Sequence, residues 1–324
     1  MGTRVATALA FTVGVPFGLV GWLWLVERLL RPLGRRAAAR IRPWAWLVPG
    51  GGTVVVFLLY PLLNTLLLAT RNADSTGFRG LGNVSYVLGS AEVRGALRNN
   101  VLWLVLLTAG CLLVGLLVAV LSNETRYEAV AKAAVVLPTA VSFVAGAVIW
   151  RSMYDYRPPG AAQTGTLNAL YTSTTGHDPV SWLVDTGTNT PALILVGIWM
   201  TAGFATVMLS AALKGVPPEL VEAARMDGAG SWRVFRHVVL PELMPTLALV
   251  TTFLGITAFK SFDIVYVLTN GSYGTDVVAN VMYRQLFVDA DYGHAAAIAV
   301  LLLVLALPVL AVNLRLGRGQ ELPR

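Results

Sequence analysis

Lys214-Gly-Val-Pro-Pro-Glu-Leu-Val-Glu-Ala-Ala-Arg-Met-Asp-Gly-Ala-Gly-Ser-Trp-Arg-Val-Phe-Arg-His-Val-Val-Leu-Pro241 is a charged, proline-bracketed segment set between two long apolar runs. Pro217 and Pro218 suit a helix start, where an N–H lacks an intrahelical partner anyway. Glu219 and Glu222 fall in the first turns, where the helix dipole favours negative charge. Gly228 or Gly230 can end the helix in a left-handed conformation. Ser231 is then placed to cap a second short helix carrying Trp232 and Phe235, and Leu240-Pro241 turns the chain back. Leu220, Ala223 and Ala224 form a small apolar patch, flanked by Glu222, Arg225 and Asp227. Two readings fit these residues: a helix lying on lipid headgroups, or a bracketed helix seated in a partner's groove.

The surrounding sequence says what kind of protein holds this loop. Of 324 residues, 56% are hydrophobic and 13% charged, against about 25% charged in an ordinary soluble domain. Mean hydropathy is +0.68. So few charges exclude disorder and a soluble globule of this size. The net charge of +7 is spread between apolar runs rather than gathered on one face, which argues against nucleic acid. A spanning helix needs about 20 apolar residues. Seven runs meet that need: Val5–Val26, Trp44–Thr70, Asn99–Asn123, Ala133–Trp150, Thr186–Leu213, Met244–Thr269 and Tyr292–Leu314. Backbone in lipid must satisfy itself, so these runs are read as helices of an all-α polytopic membrane protein. The first run is too long for a signal-peptide core and is followed by arginines instead of a cleavage site, so it reads as a membrane anchor.

Fifteen Lys and Arg fall on the side of the Arg28–Arg42 loop and seven on the other; Arg151 and Lys260, at or within runs, complete the 24. The positive-inside rule then sets the N-terminus outside and the C-terminus in the cytoplasm. The expected organisation is an anchor with an Arg-rich cytoplasmic loop (1–43) and a first core helix with an external loop (44–93). A core follows at 94–314, containing the charged loop at 214–243, and a cytoplasmic tail at 315–324. Ser142, Gly146, Gly110, Gly115, Gly197, Gly203 and Gly255 allow close helix contacts. Lys260 and Asp263, three residues apart in the sixth run, read as neighbours on one helix face. They either line a polar cavity or satisfy one another at the interface.

Glu222-Ala223-Ala224, Asp227-Gly228-Ala229, Phe235, Val238 and Leu240-Pro241 together resemble the EAA signature of binding-protein-dependent ABC importer permeases. The resemblance implies that this loop is the coupling helix, docking into a cleft on a cytoplasmic ATPase dimer. It extends over residues 78–314, the six-helix type-I core, and leaves one extra N-terminal helix outside it. Phe78-x-Gly-Leu-x-Asn83, Asn100, Phe262–Thr269 and Tyr292-Gly-x-Ala-Ala-Ala297 resemble landmarks of the carbohydrate group. Arg126–Lys132, Ser142-Phe-Val, Val148-Ile-Trp150, Thr269-Asn-Gly-x-x-Gly-Thr275, Ala279-Asn and Met282-Tyr are most similar to the α-glucoside permeases. Asn270-Gly271-Ser272 departs from the Gly-Gly-Pro of most sugar permeases in that same direction.

What the resemblance implies is a bacterial inner-membrane permease moving a small saccharide, of trehalose, maltose or sucrose type, by alternating access. Glucosylglycerol or glycerol phosphate are alternative cargoes. The implied partners are the ATPase dimer, a second permease subunit, an extracytoplasmic solute-binding protein and membrane lipid. Similarity to the maltose permease brings Phe204, Thr257 and Ser261 to positions facing the sugar, where rings stack on C–H faces and hydroxyls exchange hydrogen bonds. No Gly-x-x-x-x-Gly-Lys-Ser/Thr run exists to cradle nucleotide phosphates, so ATP and Mg are expected on the partner ATPase and no cofactor on this chain. His177, His237 and His294 lack metal-ligand spacing, and no hydrolase motif appears, so no catalytic or metal site is expected. The rival reading, an ion-coupled secondary transporter, would work through Lys260 and Asp263 and be indifferent to the loop.

Overall fold

A computed structural model describes residues 2–123 and 125–318. They form helices joined by loops, with no strand among them and one isolated bridge between Arg71 and Phe78. In chain order the helices are α1 (Gly2–Leu30), α2 (Arg35–Leu68), α3 (Gly82–Gly89), α4 (Ala91–Ser122), α5 (Glu128–Ala140) and α6 (Phe143–Met153). They continue as α7 (Thr166–Thr175), α8 (Asn189–Lys214), α9 (Pro218–Met226), α10 (Ser231–Phe259), α11 (Phe262–Leu268), α12 (Val278–Phe287) and α13 (Tyr292–Arg318). The chain divides into two compact units, Met1–Leu67 and Leu68–Arg324. Among the described residues, α2, α4, α8 and α10 are each long and apolar enough to cross a membrane, and Tyr292–Pro308 of α13 is a shorter apolar helix.

Within the second unit, α8 is the central helix. In its most apolar stretch 67% of residues are buried, against 22% in α4. A helix apolar all round belongs in the middle of a bundle. Its small residues set the spacing. A Cβ at Gly115 of α4 would meet the backbone of Ala205 at 3.0 Å, and one at Gly203 would meet Val135 O at 2.7 Å in α5. Trp103, Leu107, Trp150, Leu193, Val196, Met200, Leu254 and Val265 fill the core between α4, α6, α8, α10 and α11. A second apolar cluster, including Val87, Val93, Val281 and Ile298, joins α3, α4, α12 and α13.

Four sequence expectations change. The run Ala133–Trp150 is a pair of helices bent by 105°. Pro138 sits in a 3₁₀ turn that ends α5, and Ser142 starts α6 afresh by accepting the Ala145 N–H at 3.2 Å. The run Met244–Thr269 also breaks: α10 ends at Phe259, and Lys260 and Ser261 lie between it and α11. Lys260 and Asp263 therefore do not share one helix face, and no ion pair joins them among the described residues. The second short helix of the charged loop is the beginning of α10 itself, capped by Gly230 rather than Ser231. A π turn at Phe235–Val239 takes up the strain of continuing a helix through Pro241, which has no N–H to give. Finally, the Arg-rich loop is mostly helix, with the turn confined to residues 31–34. The tail expected at 315–324 lies from 319 onward outside the described residues.

Candidate functional site

The charged loop leaves α8 at Lys214, whose Nζ lies 2.7 Å from Glu128 Oε1 at the foot of α5. Glu128 also takes Lys132, one turn along α5. Pro217 precedes α9 as its N-cap and Pro218 opens it. At the other end, Gly228 has φ +80°, and the N–H groups of Gly228 and Ala229 donate to Arg225 O and Ala224 O, each at 3.0 Å. This left-handed ending satisfies the last carbonyls of a nine-residue helix with no buried residue. Glu222, Ala223, Arg225 and Asp227 are exposed, and Ala224 is half-buried. Leu220 is 44% exposed, Met226 88% and Trp232 70%, so the free apolar surface is larger than the alanine patch alone. The neighbouring Trp232 ring stacks on half-buried Phe235 at 5.7 Å. Leu240 is half-buried and Pro241 exposed on the next turn.

The two helices that flank the loop meet again far from it. A cavity of about 340 Å³ is lined by Gly197 and Thr201 of α8, and by Phe253, Ile256 and Thr257 of α10. Lys260, Ser261, Asp263 and Ile264 at the break, with Trp103, Leu107 and Phe143, complete it. Of the five residues placed on the substrate path by sequence, Thr257, Ser261, Lys260 and Asp263 come together here. Phe204 does not line the cavity; its ring lies 4.0 Å from that of Phe253, which does. Thr257 Oγ1 donates to Phe253 O at 2.9 Å, and Ser261 Oγ to Ala258 O at 2.5 Å. Each hydroxyl thus keeps its lone pairs for another donor. Trp103 Nε1 and Thr201 Oγ1 are buried without a hydrogen-bond partner. An orphaned polar atom beside a cavity is a cost that a polar guest removes.

Sequence reasoning missed Trp103, Phe143, Thr201 and Phe253. Trp103 sits in an unbroken apolar run, where nothing distinguishes a core tryptophan from a cavity wall. Thr201 lies one turn before Phe204 on α8, and Phe253 one turn before Thr257 on α10, so helical periodicity from those positions was the available signal. A second cavity of about 530 Å³ shares Ile256, Lys260 and Asp263 and reaches Met282, Tyr283 and Leu303. Beside it Phe262, Tyr266, Tyr283 and Phe287 form a chain of rings with centroids 4.8 to 5.1 Å apart. The helix break therefore stands between two cavities, with the charges of Lys260 and Asp263 serving both.

Residues 101–320 match the family described as binding-protein-dependent transport system inner membrane component. The chain is 44% identical over 265 residues to the osmoprotective compounds uptake permease protein GgtC of Synechocystis, covering 82% of this chain and 95% of that one. It is 38% identical over 281 residues to the alpha-glucoside transport system permease protein AglF of Rhizobium meliloti, covering 86% and 83%. Its fold superposes with a TM-score of 0.73 and 26% identity on a chain of a bacterial ABC transporter involved in the import of the acidic polysaccharide alginate. That match covers 89% of this chain and 100% of the other. With the EAA-type loop between α8 and α10 and a matching all-α fold, the chain belongs to the binding-protein-dependent inner-membrane components, the type-I permease subunits of ABC importers.

Proposed function

We propose that this permease moves a small neutral saccharide of the α-glucoside kind across the bacterial inner membrane. The observation that carries the reading is the shared framework of loop and cavity: α8 and α10 bracket the charged loop at one end and line the cavity at the other. Aromatic walls (Trp103, Phe143, Phe253) offer faces for sugar C–H groups. Thr201, Thr257, Ser261, Lys260 and Asp263 offer hydrogen bonds to hydroxyls. The name of one relative, an alpha-glucoside permease, supports the same class, while that of the other specifies only osmoprotective compounds.

In this reading Glu222, Ala223, Ala224, Asp227, Gly228, Phe235, Leu240 and Pro241 form the coupling element, facing the cytoplasm. A partner ATPase dimer supplies ATP and Mg chemistry. Its closure carries α9, and rigid α8 and α10 pass the displacement to the cavity, exchanging two conformations with different affinity for cargo. A second permease completes the path and an extracytoplasmic binding protein delivers the sugar. The N-terminus lies outside and the C-terminus in the cytoplasm.

The test is co-expression with a candidate ABC ATPase and a candidate second permease from the same genome. Co-purification of the ATPase and uptake of labelled trehalose, maltose and sucrose are the readouts. Glu222→Arg with Gly228→Trp is expected to lose the ATPase while the chain still inserts. Thr201→Val with Thr257→Val is expected to keep the ATPase and lose uptake at least tenfold. ATPase recovery equal to the native chain's sinks the coupling reading; undiminished uptake sinks the cavity.

A further inference from the structure

The family assignment gives no task to the first unit, yet its residues build a second site. Helices α1 and α2 fold back on each other through the turn at residues 31–34, with Val26, Leu30 and Ala38 buried between them. Trp22 Nε1 donates to Ala45 O at 2.9 Å and fixes the register. Arg42 engages Glu27 through two bonds, Nε to Oε1 at 3.0 Å and Nη2 to Oε2 at 3.1 Å. That pair consumes the one acidic charge of the segment 27–42, which also holds Arg28, Arg31, Arg35, Arg36 and Arg40. A concavity of about 340 Å³ opens beside it, lined by Arg31 and Arg35 together with Glu27, Leu30, Leu33, Ala38 and Arg42. Both Arg31 and Arg35 are exposed, and among the described residues neither side chain has a hydrogen-bond or ion-pair partner.

We propose that this concavity binds the phosphate of an anionic phospholipid, with Arg31 and Arg35 as the two guanidinium ligands. Two unpaired guanidiniums at the mouth of a helical hairpin present planar forks of donors to phosphate oxygens. A basic pocket between membrane helices is the arrangement that selects anionic headgroups. The surroundings favour a lipid over a free ion. Leu30, Leu33 and Ala38 give the concavity an apolar floor, and the same two helices expose Leu29, Trp44, Trp46 and Leu47, apolar surface of the kind acyl chains cover. Trp24 stands under Arg28 at 5.0 Å, an aromatic–cation pair suited to the headgroup level. The hairpin thereby anchors the permease to anionic lipid, which a bare spanning helix would not do selectively.

The experiment uses the full-length chain, purified in detergent and stripped of lipid. It is titrated with palmitoyl-oleoyl phosphatidylglycerol, the phosphatidylcholine of equal chain length, and inorganic phosphate, and occupancy is read by native mass spectrometry. Phosphatidylglycerol is expected to bind at least about tenfold more tightly than phosphatidylcholine. Arg31→Gln and Arg35→Gln are each expected to weaken it about fivefold, leaving phosphatidylcholine unchanged. Arg126→Gln, removing the same charge elsewhere, leaves the preference intact. Equal binding of the two lipids, or an undiminished preference in both Gln variants, overturns the proposal. Full displacement of phosphatidylglycerol by millimolar phosphate assigns the site to a free anion and overturns it too. Should a Gln variant misfold, the native chain's choice between the two lipids decides.

Discussion

Lys214 Nζ sits 2.7 Å from Glu128 Oε1, tying the last residue of α8 to the first residue of α5. The tie stands directly before Gly215, where the charged loop begins, and it fixes the direction in which that loop leaves the bundle. Lys214 is more than half exposed, and exposed ion pairs add little to stability. Its effect is expected on coupling. In the reconstituted transporter Lys214→Gln should lower uptake per ATP hydrolysed severalfold, while the thermal midpoint moves by no more than about 2 °C. Calorimetry beside a coupled uptake assay separates the two. A large fall in midpoint with unchanged coupling would make the pair merely structural.

Close packing of α4 and α5 on α8 rests on the absence of a side chain at two glycines. A Cβ at Gly115 would stand 2.8 Å from the Ala205 Cβ and 3.0 Å from backbone, neither of which can swing aside. Gly115→Ala and Gly203→Ala are each expected to cost about 1–3 kcal/mol. Gly95→Ala, in the interior of α4 with open space around it, should instead be neutral or stabilising by up to about 1 kcal/mol. Thermal denaturation of the three variants in one detergent ranks them; equal midpoints would contradict the packing.

Much of this architecture is legible in the sequence, and the failures share a cause. Hydropathy places most of the apolar runs because the bilayer demands them, and the bracketing of α9 by Pro217, Pro218 and Gly228 follows from local backbone chemistry. The break at Val141-Ser142 is invisible to hydropathy, since the flanking residues stay apolar while the backbone turns, and at Lys260-Ser261 hydropathy shows the charge but not the turn. The cavity was half visible. Thr257, Ser261, Lys260 and Asp263 declare themselves as polar residues in an apolar run, whereas Trp103 and Phe143 acquire their place only when α4 and α6 meet the other helices.

The break changes what Lys260 and Asp263 should do when altered. Residues satisfying each other on one face would tolerate joint neutralisation and exchange. Here Lys260 lies in the interruption between α10 and α11 and Asp263 in the first turn of α11, with no ion pair between them among the described residues, and both line the same two cavities. Lys260→Gln and Asp263→Asn should each lower saccharide uptake, and the exchanged double variant Lys260→Asp with Asp263→Lys should fail to restore it. Recovery to within about twofold of native uptake would reinstate the paired reading. Uptake assays at saturating and limiting sugar tell loss of affinity from loss of rate.

Asp155, in the loop after α6, supplies an acid-sensitive contact. The Thr164 hydroxyl donates to its carboxylate, and Arg157 lies 3.6 Å away, so the carboxyl is held below its usual range against a smaller opposing effect of burial. A depressed carboxyl stabilises the fold above its unfolded-state pKa of about 3.9, and that contribution disappears as pH falls through the folded-state value. The midpoint difference between the native chain and Asp155→Asn should hence be constant from about pH 7 to 5 and shrink below about pH 4. A difference that grows on acidification would reverse the sign and refute the assignment.

Asn168 organises the same loop from a fully buried position. Its Nδ2 donates to Asp155 O at 3.2 Å and Val180 O at 3.0 Å, and its Oδ1 accepts from Val180 N and Trp182 Nε1, each at 3.0 Å. One amide so ties the ends of a segment from residue 155 to 182 against α7, and no water can replace it without opening the loop. Removing it leaves part-buried backbone and indole groups unpaired, each costing up to about 1–3 kcal/mol. Asn168→Ala should lower stability by at least about 2 kcal/mol. Asn168→Asp keeps the two acceptor bonds, loses the two donated ones and buries a charge, so it should be no better than Ala. Because the damage lies in the loop, hydrogen exchange in both variants should rise first across residues 155–185 and last in α8. Exchange rising in α8 as early as in the loop would show instead that Asn168 supports the bundle core.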